Sequence, residues 1–212
     1  MVRGKFVLLS ILAATLICWQ FLPMNTNTAS SGIVDPCSSE VDFCEVTGTR
    51  CLMICPQGDG STLADGGNEI CVTVKDANGA PIVGMIGTDF WLTGCNNLCL
   101  CGGSGSSNAD QATDVNGQTT FSGGIAAGGC DTGLYVVVQG VVIGCPPTCL
   151  TIAVRSPDLS CDLIVNLVDF SLFAPSFPSP PKAYVACKDY DCNGLINLID
   201  FSIFAQHWQH SC

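Results

Sequence analysis

Short runs of alternating apolar and polar residues mark the central part of the chain, residues 70–155. Residues 70–75, Ile-Cys-Val-Thr-Val-Lys, alternate as a half-buried strand does, and the Asp-Ala-Asn-Gly that follows is typical of a turn. Similar runs occupy residues 89–93, 119–122, 134–142 and 150–155. Because short strands separated by glycine-rich turns favour stacked sheets, residues 31–155 predict an antiparallel β-sandwich.

Two parts of this region do not follow the alternation. Residues 32–64 are expected to supply the first strand of the sandwich, or else an extended arm that completes the sheet of a neighbouring molecule. Residues 95–108 are rich in Gly, Ser and Cys, which predicts a loop tethered by disulfides at one end of the sandwich.

Near the C-terminus the pattern changes to an internal duplication. Residues 158–169 and 189–200 carry oxygen-bearing side chains at the same positions, and the second copy begins 31 residues after the first. Each copy continues into a similar apolar tail, Phe-Ser-Leu-Phe-Ala or Phe-Ser-Ile-Phe-Ala, with the spacing of a helix. The proline-rich residues 175–181 are expected to end the first helix near Ala174.

The duplicated spacing predicts two calcium sites. Oxygen ligands at the first, third, fifth, ninth and twelfth positions of a loop, with a backbone carbonyl at the seventh, are typical of Ca²⁺. The predicted ligands are Asp158, Ser160, Asp162, the carbonyl of Ile164, Asn166 and Asp169 in the first copy, and Asp189, Asp191, Asn193, the carbonyl of Leu195, Asn197 and Asp200 in the second. Gly194 stands at the sharp turn of the second loop and Leu163 at that of the first, so we expect tighter binding at the second site and a weaker or distorted first one. The alternative is that these Asp and Asn residues only form turns.

Both of these loops end in Asp, and each is followed by one helix carrying Asn-Leu-x-Asp-Phe-Ser-x-Phe-Ala. With these features the region from Asp158 to the C-terminus resembles a dockerin type I module. The resemblance implies a small α-helical module with two EF-hand-like calcium loops, which binds a cohesin-like receptor on another extracellular protein. It also implies partner contacts by the residues just before the twelfth position, which are Leu167, Val168, Leu198 and Ile199. These residues are apolar where many dockerins carry hydroxyl groups, and the alternative is that they belong to the core.

The central region has a resemblance of its own. Val-Thr-Val-Lys-Asp-Ala-Asn-Gly-Ala-Pro-Ile-Val-Gly at residues 72–84, followed by Thr-Asp-Val-Asn-Gly-Gln-Thr-Thr-Phe at residues 113–121, is similar to bacterial immunoglobulin-like domains. The predicted organisation is therefore a signal peptide at 1–30, a mostly β, immunoglobulin-like sandwich at 31–155, and the dockerin-like module at 156–212.

The N-terminus and the cysteines indicate export. Residues 1–30 combine a short basic start, an apolar run too short to span a bilayer and small residues for cleavage, as in a secretory signal, and no other long apolar run follows. The chain has 16 cysteines, which predicts disulfides in an oxidising, extracellular or cell-surface setting. The duplication suggests a bridge between Cys161 and Cys192, and the odd number beyond Cys18 makes Cys212 a candidate for the unpaired thiol. The cysteine spacing does not favour a zinc ribbon, and His207 and His210 are expected at a solvated helix end.

Charge and motif content narrow the functional class. With 7 basic residues, 18 acidic residues and a net charge of −11, the chain is expected to repel nucleic acid. Neither a Gly-x-Ser-x-Gly turn nor a phosphate-binding loop is present, and both histidines lie in the tail, so we expect no catalysis. The sequence predicts a secreted calcium-binding protein that mediates attachment through a cohesin-like receptor. The alternative is a self-assembling subunit of an extracellular fibre or layer, in which the N-terminal arm or the calcium module engages the next copy.

Overall fold

The computed structural model describes residues 32–45, 50–96, 98–102 and 107–212. The predicted signal peptide lies outside the described residues. The described chain is mostly β, as predicted, with two short helices near its end. The elements are β1 (Glu40–Phe43), β2 (Cys51–Met53), β3 (Ile70–Thr73), β4 (Phe90–Gly94), β5 (Leu98–Leu100), β6 (Gln118–Phe121), β7 (Ala127–Val138), β8 (Val141–Val142), β9 (Leu150–Arg155), α1 (Leu167–Phe173) and α2 (Leu198–Gln206).

The strands form two sheets. One has the order β1-β3-β6, and the other has the order β2-β9-β7-β4, with β5 and β8 also pairing with β7. Most pairs are antiparallel, but β2 runs parallel to β9, with Cys51 opposite Ala153, so the expectation of a purely antiparallel arrangement is wrong. The segment 32–64 supplies two strands, β1 and β2, and each pairs with a strand of the same chain.

Both sheets bury their apolar positions in one core. Ile70 and Val72 of β3 point inward while Cys71 is exposed, which is the predicted alternation. They share a hydrophobic cluster with Phe90 of β4 and Ile152 of β9, from the other sheet. Burial of each such side chain contributes about 1.5–3 kcal/mol, so this shared core is the main stabilising feature of the sandwich.

A hydrogen-bonded turn at residues 76–80 follows β3. The side chain of Asp76 accepts hydrogen bonds from the backbone N–H groups of Asn78 and Ala80, both at 2.9 Å. Gly79 completes the turn with φ of 79°, a conformation that glycine adopts without steric cost. The predicted turn is confirmed.

The two repeats, residues 158–169 and 189–200, each lead into one short helix. Helix α1 ends at Phe173 with Ala174 as its C-cap, as the proline-rich segment predicts. The helices meet through Phe173 and Phe204, whose rings stack at 5.5 Å, and Tyr190 stacks on Phe173 at 5.9 Å. These aromatic rings belong to a second hydrophobic core. Met53, at the end of β2, packs against this core, and Cys55, just beyond β2, is part of it, so residues of the sandwich region complete it.

Seven disulfides join cysteines of the described chain and indicate an oxidising compartment. Three of them lie within residues 31–155, namely Cys37–Cys145, Cys44–Cys71 and Cys95–Cys149. The other four connect that region to residues 156–212, namely Cys51–Cys192, Cys99–Cys161, Cys101–Cys212 and Cys130–Cys187. Three bridges therefore hold the 95–108 loop, which confirms its predicted disulfide tether.

The two cysteine assignments made from sequence are wrong. Cys161 and Cys192 do not pair with each other, because each is bonded to a different cysteine of the sandwich region. Cys212 is not the unpaired thiol, since it is bonded to Cys101. Among the described cysteines, the free thiol is the buried Cys55.

Candidate metal centre

The first loop brings three carboxylates together. Ligand oxygens of Asp158, Asp162 and Asp169 all lie within 4.8 Å of one another, and Asp158 and Asp169 are both 0 % exposed. The remaining predicted ligands, Ser160, the Ile164 carbonyl and Asn166, stand on the same twelve-residue loop. Burial raises the pKa of Asp158, and the neighbouring charges of Asp169 and Asp162 add to the rise.

The second loop repeats this arrangement. Asp189, Asp191 and Asp200 have ligand oxygens within 4.8 Å of one another, and Asp189 and Asp200 are buried. Asn193, the Leu195 carbonyl and Asn197 lie on the same loop. Each loop therefore buries the carboxyl groups of its first and twelfth residues and has an exposed carboxyl group between them in sequence.

The first and second loops have the same backbone at the sharp turn. Leu163 has φ of 67° and donates its N–H to Asp158 Oδ2 at 2.9 Å; Gly194 has φ of 87° and donates to Asp189 Oδ2 at 2.9 Å. Leu163 thus adopts a left-handed conformation that costs a residue with a Cβ about 1–2 kcal/mol. The first loop therefore makes this hydrogen bond as well as the second loop does, and it is not distorted at this point. That the second site binds calcium more tightly than the first stays a prediction.

The ninth and twelfth residues of each loop also form the N-terminal capping box of the following helix, a role that was not predicted from the sequence. Asn166 caps α1 by accepting a hydrogen bond from the N–H of Val168 at 2.7 Å, and its own N–H donates to Asp169 Oδ2 at 2.8 Å. Asn197 and Asp200 form the same capping box at the start of α2. The signal was present as Asn-x-x-Asp before an apolar run, and it ties the loop geometry to the helix that follows.

The two loops differ in how their first carboxylate is compensated. Arg155, at the end of β9, places Nη1 3.3 Å from Asp189 Oδ2, and the Tyr184 hydroxyl donates to the same oxygen at 2.7 Å. Burial alone would raise the pKa of Asp189, but the Tyr184 and Gly194 hydrogen bonds and the Arg155 charge hold it below its usual value. A cation at the second loop therefore competes with groups that already engage Asp189.

The predicted partner residues lie at the surface. Leu167, Val168, Leu198 and Ile199 are 68 %, 51 %, 72 % and 53 % exposed, so the alternative that they are core residues is wrong. Beside them, a groove of 390 Å³ is lined by Phe170, Phe201, Phe204, Ala205 and Trp208. The first turns of both helices and this groove present apolar surface to solvent.

The expectation of a solvated histidine tail is also wrong. His207 is 2 % exposed, and burial lowers its pKa, which favours the neutral ring. The thiol of Cys55 lies close by, and its burial raises its pKa to about 12. Asp59 completes this neighbourhood, with its carboxylate 3.1 Å from His210 Nδ1.

Comparison with known proteins gives little further information. No family model matches the chain, and no curated protein matches it. Among solved structures, the Lin-41 filamin domain aligns with a TM-score of 0.30 and 17 % sequence identity over 56 % of this chain and 95 % of that one. None of the described helices has the length and apolar character that a membrane crossing requires.

Proposed function

We propose that this protein is a non-catalytic, calcium-dependent attachment protein of the extracellular space. In this proposal its sandwich is immunoglobulin-like, its C-terminal repeats are EF-hand-like calcium loops of the dockerin type, and the exposed residues at the start of each helix bind a protein partner. The observation that carries the proposal is the burial of two carboxylates in each of two repeated loops, within 4.8 Å of a third.

Burial separates these loops from ordinary Asp turns in the same molecule. Asp114 accepts hydrogen bonds from the N–H groups of Asn116 and Gln118 in a turn, and its side chain is exposed. Asp158 and Asp169 accept similar hydrogen bonds but are buried together. Because like charges in a poorly solvated site repel strongly, a bound divalent cation is the simplest source of compensation.

The ligand chemistry favours Ca²⁺ for these two sites. Each loop offers carboxylate, amide and backbone carbonyl oxygens, and the first adds a hydroxyl; a hard cation that takes six to eight oxygens prefers such a set. Asp158, Asp162 and Asp169 would hold the ion in the first loop, and Asp189, Asp191 and Asp200 in the second. When bound, the ion neutralises the carboxylates and stabilises the capping boxes, and thereby the helices that present the apolar residues.

The apolar residues support a protein partner. Leu167 and Leu198 occupy the same place in the two repeats, each is more than two-thirds exposed, and each is the tenth residue of its predicted calcium loop and the first residue of the helix. Apolar side chains exposed at equivalent positions of a duplicated element are typical of a docking surface. In the proposal, either a cohesin-like receptor or a second copy of this chain covers them.

Sedimentation of the mature protein, alone, with Ca²⁺ and then with a chelator, tests the proposal and separates the two partners. Reversible growth into large species in Ca²⁺ indicates the self-assembling alternative, whereas a monomer that becomes more compact indicates a different partner protein. Leu198→Ser should abolish any calcium-dependent assembly, and Val115→Ser, which changes a 58 % exposed residue of the sandwich, is the matched control. Absence of any calcium binding in a parallel titration would overturn the proposal.

A further inference from the structure

A second cluster of metal-ligating side chains lies outside the calcium loops. It consists of Cys55, Asp59, His207 and His210, whose ligand atoms all lie within 4.8 Å of one another. Cys55 and Asp59 come from the segment after β2, and His207 and His210 come from the segment that directly follows α2. The cluster therefore lies at the contact between the sandwich region and the repeats.

Local backbone geometry explains how these four residues meet. Cys55 and Gly58 form a turn, in which the Gly58 N–H donates to the Cys55 carbonyl at 2.9 Å, and this brings Asp59 beside Cys55. At the other end, Gln209 adopts φ of 65° and the His210 N–H donates to the His207 carbonyl at 3.0 Å, so the chain turns back on itself. The tail is held there because the Val165 N–H donates to the His210 carbonyl at 2.9 Å.

The distances within the cluster are those of a coordination shell. The Nδ1 atoms of His207 and His210 are 3.2 Å apart, and Cys55 Sγ is 3.7 Å from His210 Nδ1. Asp59 Oδ1 lies 3.2 Å from His210 Nδ1 and 3.5 Å from His207 Nδ1. A hydrogen bond joins two of these atoms at a time, whereas one bound cation accounts for the convergence of all four ligand atoms.

These spacings match the edges of a tetrahedron around zinc. With Zn–N and Zn–O bonds of about 2.1 Å and Zn–S bonds of about 2.3 Å, tetrahedral angles place two nitrogens, or a nitrogen and an oxygen, about 3.4 Å apart. They place sulfur and nitrogen about 3.6 Å apart. The four observed separations fall within about 0.2 Å of these values.

The state of Cys55 is a second, independent indication. Every other described cysteine is in a disulfide, whereas Cys55 is a free thiol with 0 % exposure. An odd number of cysteines leaves one thiol unpaired within the chain, and the one left over among 14 paired cysteines is buried beside two ring nitrogens, which is the setting of a metal ligand.

We propose that Cys55, Asp59, His207 and His210 form a four-coordinate site for zinc or a zinc-like divalent transition metal. All four ligands come from the protein, which is typical of a structural rather than a catalytic site. The donor set of one sulfur, two nitrogens and one carboxylate oxygen disfavours Ca²⁺, so this site and the calcium loops select different ions. The bound metal links the strand-β2 segment to the end of α2 and stabilises their contact.

Metal titrations of the mature protein, stripped with a chelator and then saturated with Ca²⁺, test the proposal. We expect one Zn²⁺ to bind per chain in the presence of excess Ca²⁺. We expect Co²⁺ at the same site to give the intense visible bands of tetrahedral cobalt and a thiolate charge-transfer band. Cys55→Ser should remove the charge-transfer band, and His210→Gln should weaken Zn²⁺ binding by more than the roughly 10–100-fold that loss of a supporting residue causes.

His210→Gln keeps the test decisive if Cys55→Ser fails to fold, because the His210 side chain is 22 % exposed and lies beyond the end of α2. Asp162→Asn is the control, because Asp162 is an exposed predicted ligand of the first loop and lies outside the capping box of α1, and because the two histidines follow α2 instead. It should weaken calcium binding at the first loop and leave Zn²⁺ affinity unchanged, so failure of this site and failure of the calcium proposal are distinguishable. Octahedral cobalt spectra without a thiolate band, or equal Zn²⁺ affinity in His210→Gln and the unaltered protein, would overturn the proposal.

Discussion

Replacement of Gly194 by alanine measures how strongly calcium binding depends on the sharp turn of the second loop. Gly194 has φ of 87°, and a Cβ built on it meets no atom within 4 Å. The substitution therefore adds no steric overlap, and its effect is conformational. A residue with a Cβ in the left-handed region loses about 1–2 kcal/mol.

If the loop takes up this conformation only when it binds the ion, that loss appears in the calcium affinity. Since about 1.4 kcal/mol corresponds to a tenfold change, Gly194→Ala should weaken the second site by about five- to thirtyfold. Calorimetric titration in an Asp169→Asn background, in which the first loop lacks its twelfth ligand, isolates the second site. The reverse change, Leu163→Gly, should strengthen the first site, because Leu163 has φ of 67°.

Gly140→Ala is the matched control. Gly140 has φ of 86°, and its added Cβ also meets no atom within 4 Å, but it lies in the turn between β7 and β8. It should lower the free energy of unfolding by the same amount and leave calcium affinity unaltered. Equal calcium affinity in Gly194→Ala and the unaltered protein would refute the reasoning, because it would mean that the loop holds this conformation without the ion.

Three further predictions concern the same loops. Asp169→Asn and Asp200→Asn should each reduce the calcium stoichiometry from two to one, as measured by calorimetry, and full retention of both ions in either variant would contradict the ligand assignment. Tyr184→Phe removes a hydroxyl hydrogen bond to the Asp189 carboxylate worth about 1.5–3 kcal/mol, so it should tighten the second site by roughly 10- to 150-fold in the same titration; weaker binding would show that the hydroxyl orients the carboxylate instead. Gly128→Ala should abolish calcium binding at the first loop, because a Cβ on Gly128 would overlap the first carboxylate of that loop, and mass spectrometry under native conditions should then show one calcium per chain.

The local features of the fold could be predicted from sequence because short-range chemistry decides them. Strand β9 has the bounds that its alternation predicts, and α1 ends where the proline-rich segment requires. The positions of Asp158 and Asp169 on one loop followed from spacing alone, since a twelve-residue turn brings its first and last residues together. The apolar residues Leu167 and Leu198 were ambiguous because an exposed docking surface and a buried helix face share the same composition.

The long-range pairings could not be predicted, because they depend on how the repeats lie against the sandwich. Cys161 and Cys192 occupy equivalent places in the duplication, yet each faces a different edge of the other region. The same packing buries His207 against Cys55, which is 152 residues away in sequence. The available signal was weak: an odd number of cysteines together with two histidines three residues apart, without the paired spacing of a zinc ribbon.

The four disulfides between the sandwich and the repeats have a mechanical consequence. In the proposed attachment function the contact with a partner would be under tension, and noncovalent contacts between two regions of a chain yield under sustained pulling. Here the fourth residue of each calcium loop, Cys161 and Cys192, is covalently bonded to the sandwich region. If the helices hold a partner in the calcium-dependent way proposed above, a load applied to them would pass into the β-sheets through covalent bonds. Loss of calcium would then release the partner without detaching the repeats from the rest of the molecule.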